Sequence, residues 1–137
     1  MTTRILALEK DLFFSVKMRD TLRHHDMQVT TVRTLPAFEQ LLAAPEGERP
    51  ELVIVNTATT GVDWESAIRQ ARTHDLPVLA FGSHMDLKAR ERAIKAGARR
   101  VVANSKFVTD MPGLVQRMLS EPDALSLGDP GIEQQEA

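Results

Sequence analysis

The sequence predicts an α/β protein with a doubly wound, five-stranded parallel sheet in the order 2-1-3-4-5, the flavodoxin-like (βα)5 arrangement. Three observations predict it. Short apolar segments alternate with helical segments along most of the chain, and the length of 137 residues suits one domain. The apolar segments are nearly continuous, which is typical of strands covered on both faces. Strands joined in this way run parallel, and their connecting helices cover the sheet.

Five short apolar segments are the predicted strands. They are residues 5–8, 29–32, 52–55, 78–81 and 101–103. The third is the clearest, with four consecutive apolar residues as expected for a strand covered on both faces. The second is rich in β-branched residues, which favour strands, and Pro77 directly precedes the fourth.

Five helices are predicted from capping residues and apolar spacing. Asp11 and Thr34 are candidate N-caps of the first two helices, because a short side-chain oxygen accepts a hydrogen bond from an unpaired helical N–H. The fourth helix is predicted over residues 87–96 and ends at Gly97. The last is predicted over residues 111–119. The apolar faces of the first three helices are Phe14, Met18 and Leu22; Phe38, Leu41 and Leu42; and Trp64, Ala67, Ile68 and Ala71.

The charge distribution divides the chain into two parts. Residues 1–120 hold all 17 lysines and arginines, whereas residues 121–137 hold acids and no base. We therefore expect a folded, mildly basic domain over 1–120 and a loose acidic tail over 121–137. The absence of cysteine excludes disulfides and thiol chemistry. With no apolar run long enough to span a membrane and no signal peptide, we expect a cytoplasmic protein.

Polar residues follow the predicted strands at their carboxyl ends, where this fold collects ligands and chemistry. The residues after strands one, three, four and five are Glu9, Lys10 and Asp11; Asn56 and Thr57; Gly82, Ser83 and His84; and Asn104, Ser105 and Lys106. We expect these side chains to form one rim, which is the candidate site.

Residues 4–119 resemble the receiver domain of bacterial two-component response regulators. Four segments in the expected order and spacing carry the similarity: residues 5–11, 50–56, 76–82 and 95–98. The resemblance implies a receiver fold and a role in signal transduction. Working receivers use an aspartate at the end of strand three to accept a phosphoryl group, and an acidic pair after strand one to hold Mg²⁺. A hydroxyl residue after strand four and a lysine after strand five stabilise the phosphoryl oxygens.

The sequence departs from that pattern at nearly every functional position. Asn56 stands at the acceptor position, and an amide does not form an acyl phosphate. Glu9 and Lys10 replace the acidic pair, so a cation stands where a metal ligand is expected. The other departures are Gly82 at the hydroxyl position, with Ser83 beside it, and Asn104 at the lysine position, with Lys106 two residues later. The resemblance therefore implies a degenerate receiver, not an enzyme, with a vestigial pocket and neither metal nor cofactor.

We also expect Lys10 to form an internal ion pair with Glu9, beside Asn56, that supplies the charge of the missing Mg²⁺. Alternatives remain open at this rim. A kinase acting on Thr57, Thr59 or Thr60 is one, and a phosphorelay receiver with an unconventional acceptor such as Asp11 or Thr57 is another. Asp11, His84 and Asp86 are residue types that bind metals, although the two aspartates are more typical of helix caps. A small-ligand or nucleotide sensor is the last alternative, although no Gly-rich phosphate loop occurs.

The predicted fourth helix is basic. Lys88, Arg92, Lys95 and Arg99 recur at helical spacing and predict a basic stripe on one face. The resemblance implies that helix 4, strand 5 and helix 5 form the face for partners and dimers. We expect an acidic protein or a second copy of the chain to bind there. Nucleic acid is the weaker candidate, because no aromatic residues accompany the bases. A further hypothesis is that residues 121–137 fold back over this stripe and compete with the partner.

Overall fold

In a computed structural model of the chain, residues 2–121 are described, and five strands alternate with five helices. The elements are β1 (Thr3–Leu8), α1 (Leu12–Arg23), β2 (Met27–Val32), α2 (Leu35–Leu42), β3 (Leu52–Asn56), α3 (Trp64–Thr73), β4 (Val78–Gly82), α4 (Leu87–Ala96), β5 (Arg100–Ala103) and α5 (Asn104–Ser120). The predicted acidic tail lies outside the described residues except for Glu121.

The sheet is entirely parallel and has the order β2-β1-β3-β4-β5, which confirms the predicted doubly wound fold. Side chains of each strand alternate between two separate cores, as the period of a strand requires. In β3, Val53 and Val55 pack with α2, α3 and α4, whereas Leu52 and Ile54 pack with α1 and α5. Both faces of the sheet are therefore covered by helices, and the strand ends remain free for polar groups.

Helix caps fix the loops that lead away from the carboxyl ends of the strands. Asp11 accepts a hydrogen bond from the Phe14 N–H at 3.1 Å, and Thr34 accepts one from the Ala37 N–H at 3.3 Å. Asp86 caps α4 in the same way, at 3.0 Å from the Ala89 nitrogen. Gly97 ends α4 with a φ of 119°, a left-handed conformation that favours glycine. These capping residues agree with the sequence-based predictions.

The last helix begins earlier than predicted, at Asn104 instead of residue 111. Pro112 lies inside this helix, although it cannot donate a backbone hydrogen bond and disfavours helical geometry in the residue before it. The chain accommodates this proline by a kink at Asp110, whose φ of −136° and ψ of 36° are not helical. Asn104 and Lys106 therefore lie in the first turn of a helix, whereas the sequence predicted a helix only from residue 111.

Candidate functional site

The carboxyl ends of β1 and β3 are joined by a side-chain pair. Asn56 Nδ2 donates hydrogen bonds to both carboxylate oxygens of Glu9, at 2.9 Å to Oε1 and 3.1 Å to Oε2. The orientation of the amide is fixed from its other side, since Asn56 Oδ1 accepts a hydrogen bond from the Ala58 N–H at 2.9 Å. The Asn56 side chain therefore presents donors to the carboxylate of Glu9.

Glu9 is almost fully buried, with 2% of its surface exposed. Burial raises the pKa of its carboxyl group above the ordinary value, because the charged form loses its hydration. The hydrogen bonds from Asn56 and from the Asp11 N–H, the latter at 3.2 Å, oppose this change because they stabilise the carboxylate. The centre of the rim is thus a buried acid held by neutral donors.

The Lys10 side chain points away from this acid. Its ammonium group donates a hydrogen bond to the backbone carbonyl of Thr60 at 3.0 Å, in the connection between β3 and α3. The predicted ion pair between Lys10 and Glu9 is therefore wrong. Successive side chains of an extended chain point to opposite sides. The Glu9 side chain therefore points into the protein, whereas the Lys10 side chain points towards the connection between β3 and α3. Gly61, with a φ of 75°, forms the turn beside the ammonium group.

The Thr57 hydroxyl group occupies the space beside Gly82. Thr57 Oγ1 donates to the carbonyl of Phe81 at 3.3 Å, and a Cβ atom on residue 82 would overlap with this hydroxyl group. The hydroxyl group of Thr57, in the segment after β3, therefore occupies the space that the Cβ atom of a larger residue at position 82 would need. The sequence identified both residues but did not indicate this contact, which depends on the register of β3 against β4.

The other threonines and polar residues of the rim make local contacts. Thr59 is 5% exposed and donates to the carbonyl of Asn56 at 2.6 Å. Ser83 Oγ accepts a hydrogen bond from the Met85 N–H at 3.1 Å in the loop before α4. Within residues 2–121, no three His, Asp or Glu side chains come together as metal ligands would, so the metal site proposed for Asp11, His84 and Asp86 gains no support.

The basic residues predicted to form one stripe have different surroundings. Lys88 and Lys95 are exposed on α4, and Lys95 pairs with Glu91 at 3.6 Å. Arg92 instead pairs with Glu65 of α3 and lies over the Trp64 ring, with its guanidinium carbon 5.1 Å from the ring centroid.

Arg99 does not belong to the stripe. Helix α4 ends at Ala96, and the Arg99 guanidinium group donates to the carbonyl of Met118 in α5 at 3.0 Å. Gly97 ends the helix, so the spacing that would align Arg99 with Lys88 and Lys95 no longer applies. The predicted contact between the acidic tail and this stripe lies outside the described residues, apart from Glu121, which pairs with Arg100 of β5 at 2.6 Å.

Exposed apolar residues accompany these polar features, and the spacing of apolar residues in the sequence did not predict them. Phe13 is 87% exposed near the start of α1, and Met85 and Leu87 are 76% and 64% exposed at the start of α4. Phe13 lies beside the inward-facing Phe14 in α1, Leu87 is the first residue of α4, and Met85 lies in the loop before α4. No helix within residues 2–121 is long and apolar enough to cross a membrane.

Comparisons with known proteins identify the fold. No family model and no curated protein matches the sequence. A response regulator from Thermotoga maritima superposes with a TM-score of 0.72 at 17% identity, covering 88% of this chain and 100% of that one. A response regulator receiver protein from Burkholderia phymatum gives 0.76 at 22% identity, with coverages of 88% and 98%. The signal receiver domain of a histidine kinase from Syntrophus aciditrophicus gives 0.75 at 20%, with coverages of 87% and 91%. The chain therefore has the receiver fold.

Proposed function

We propose that this chain is a pseudo-receiver: a member of the response-regulator receiver family that acts in signalling through protein contacts, without phosphorylation of an aspartate. The observation that carries the proposal is the pair of hydrogen bonds from Asn56 to Glu9. A working receiver needs a free carboxylate at position 56, whereas here an amide occupies the position and its donors face the neighbouring acid.

The remaining rim residues do not suit Mg²⁺ or phosphoryl transfer. Mg²⁺ requires several oxygen ligands in a regular arrangement, and both Glu9 oxygens accept hydrogen bonds from amide N–H groups. Lys10 adds a positive charge next to this carboxylate in the chain. Gly82 has no hydroxyl group, and the hydroxyl of Thr57 beside it is engaged with the Phe81 carbonyl. These features favour a pocket that keeps one conformation without a metal ion.

We propose that the contact surface is the start and outer face of α4. Lys88 and Lys95 are exposed there, the exposed Leu87 is its first residue, and the exposed Met85 lies in the loop just before it. Apolar side chains supply buried area in a complex, and the lysines would favour a partner with an acidic surface. An acidic protein in the same cytoplasmic signalling system is the proposed partner, with a second copy of the chain as the alternative.

The chemical part of the proposal is tested by incubating full-length protein with Mg²⁺ and acetyl phosphate and measuring its intact mass. We expect no increase equal to one phosphoryl group, while an ordinary receiver treated in parallel gains one. A stable adduct on this chain would contradict the proposal. Fragment masses locating it on Asp11 or Thr57 would then support a phosphorelay receiver with an unconventional acceptor.

The surface is tested by quantitative affinity capture with matched charge variants. A specific partner should be lost from the Lys88→Glu and Lys95→Glu variants and retained by Lys17→Glu, which reverses an exposed charge on α1. A protein retained equally by all three variants does not bind α4, and that result would contradict the proposed surface.

A further inference from the structure

A cleft lies at the point where the strand order of the sheet reverses. Chain connections run from β1 outward to β2 and from β3 outward to β4, so the helices after β1 and β3 lie on opposite faces. Open α/β sheets bind ligands in the crevice at such a point. Here the cleft measures about 510 Å³ and is formed by the connections that follow β1, β2 and β3. It is large enough for a small molecule.

The cleft is lined by two cations and one carboxylate. Lys10 comes from the connection after β1, Arg33 from the connection after β2, and Asp63 from the connection after β3. Asp63 is the N-cap of α3 and accepts a hydrogen bond from the Ser66 N–H at 3.0 Å. The negative charge of its carboxylate is therefore partly balanced by the N-terminus of its own helix. The remaining lining is mainly apolar and consists of Leu35, Pro36 and Val62.

Both cations have donors to spare. The Lys10 ammonium group has three N–H donors and uses one of them on the Thr60 carbonyl. Arg33 is exposed, and its guanidinium group makes no hydrogen bond or ion pair to any other residue between 2 and 121. The start of α2 offers few backbone donors, since Thr34 caps it and Pro36 has no N–H. A bound anion would therefore be held by the two side chains.

We propose that this cleft binds a small phosphorylated molecule, with its phosphoryl group between Lys10 and Arg33 and an apolar or planar body on Leu35, Pro36 and Val62. Arginine matches phosphate oxygens with a fixed fork of donors, and lysine adds a compact charge. Apolar walls with a few convergent polar groups are the usual composition of a small-molecule site. The inference goes beyond the protein contacts of the proposed function, because it uses a different set of residues.

The test is a titration of ¹⁵N-labelled full-length protein with three probes, followed by NMR. The probes are adenosine monophosphate, inorganic phosphate and adenosine. We expect saturable shift changes at the amides of Lys10, Arg33, Gly61 and Val62 with adenosine monophosphate, and none with adenosine. Weaker binding of inorganic phosphate would show that the body of the ligand contributes, whereas equal binding would identify free phosphate as a sufficient ligand.

Charge variants decide whether these residues form the site. Arg33→Gln should weaken binding of adenosine monophosphate by roughly tenfold, since a charge-assisted pair is lost. Lys10→Gln should act in the same direction, and Lys17→Gln, at an exposed position on α1, should leave the affinity unchanged. Equal weakening by Lys17→Gln, shifts spread over the surface, or no saturable change with either phosphate probe would overturn the proposal. None of these results depends on whether the chain accepts a phosphoryl group.

Discussion

The side-chain amide of Asn56 binds both oxygens of the Glu9 carboxylate across the boundary between β1 and β3. Glu9 directly follows β1 and Asn56 is the last residue of β3. Because β1 and β3 are adjacent parallel strands, the sheet brings the two side chains together. Together with the Asp11 N–H, this neutral amide supplies hydrogen bonds to the buried carboxylate. This relationship determines how the pocket should respond to changes of charge and of pH.

The Asn56→Asp substitution should lower the free energy of unfolding at neutral pH. The change removes two hydrogen bonds to Glu9 and places a second carboxylate against it, which we expect to cost on the order of 2–3 kcal/mol. Urea unfolding at pH 7 measures this loss, and lower pH should reduce it because one proton relieves the repulsion. Gln40→Glu, which adds the same charge at an exposed site on α2, is the control and should be nearly neutral.

Mg²⁺ should stabilise the double variant Lys10→Asp/Asn56→Asp more than the single variant Asn56→Asp. The double variant adds two carboxylates beside that of Glu9 and removes the ammonium group of residue 10, so a divalent cation gains ligands and loses a repulsive neighbour. Thermal melts with and without Mg²⁺ compare the two. Equal Mg²⁺ effects on both variants would show that Lys10 does not oppose cation binding.

The pKa of Glu9 predicts a particular pH dependence of stability. Because the folded pKa lies above the unfolded one, the folded state binds the proton more tightly, and the stabilising contribution of Glu9 is complete only below about pH 4.5. It declines as pH rises through the folded pKa, with a slope of at most about 1.4 kcal/mol per pH unit. Glu9→Gln removes this titration. Relative to the original protein, the variant should therefore gain stability as the pH rises from about 4.5 through the folded pKa of Glu9, and a constant difference in urea unfolding would contradict the assignment.

The fold could be predicted from the sequence because the features that indicate strands and helix starts are local, and because the alternation of strands and helices determines how the strands are connected. Apolar segments identified the strands, Asp11, Thr34 and Asp86 identified helix starts, and the strand ends identified the rim. The partners within the rim could not be predicted in the same way. Whether Lys10 meets Glu9 or the Thr60 carbonyl depends on side-chain direction at the end of a strand, and the contact of Thr57 with residue 82 depends on strand register. Neither has a signature in a single sequence.

Gly113→Ala should bring little or no gain in stability, although alanine favours helices over glycine by about 1 kcal/mol. The reason is the kink in α5: the Asp110 carboxylate, which pairs with Arg117 at 2.9 Å, lies where a Cβ atom on residue 113 would be. Displacing it weakens that half-exposed ion pair, which is worth at most about 1 kcal/mol, and should cancel most of the gain in propensity. Gly47→Ala is the matched control, because nothing lies within 4 Å of its added Cβ atom. Denaturant unfolding should separate the two variants, and a stabilised Gly113→Ala protein would refute the steric account.

Gly82→Ala tests whether Thr57 fills the position beside the end of β4. The added Cβ atom would overlap with the Thr57 hydroxyl group, so the variant should lose on the order of 1–3 kcal/mol, the usual range for overpacking. Thr57→Ala removes that hydroxyl and leaves a Cβ atom 3.5 Å away, an ordinary contact. The double variant Gly82→Ala/Thr57→Ala should therefore be more stable than the sum of the two single changes predicts, by roughly 1 kcal/mol or more in a double-mutant cycle. Strictly additive effects would mean that the two residues do not compete for the same space, and that the hydroxyl of Thr57 has no part in shaping the pocket.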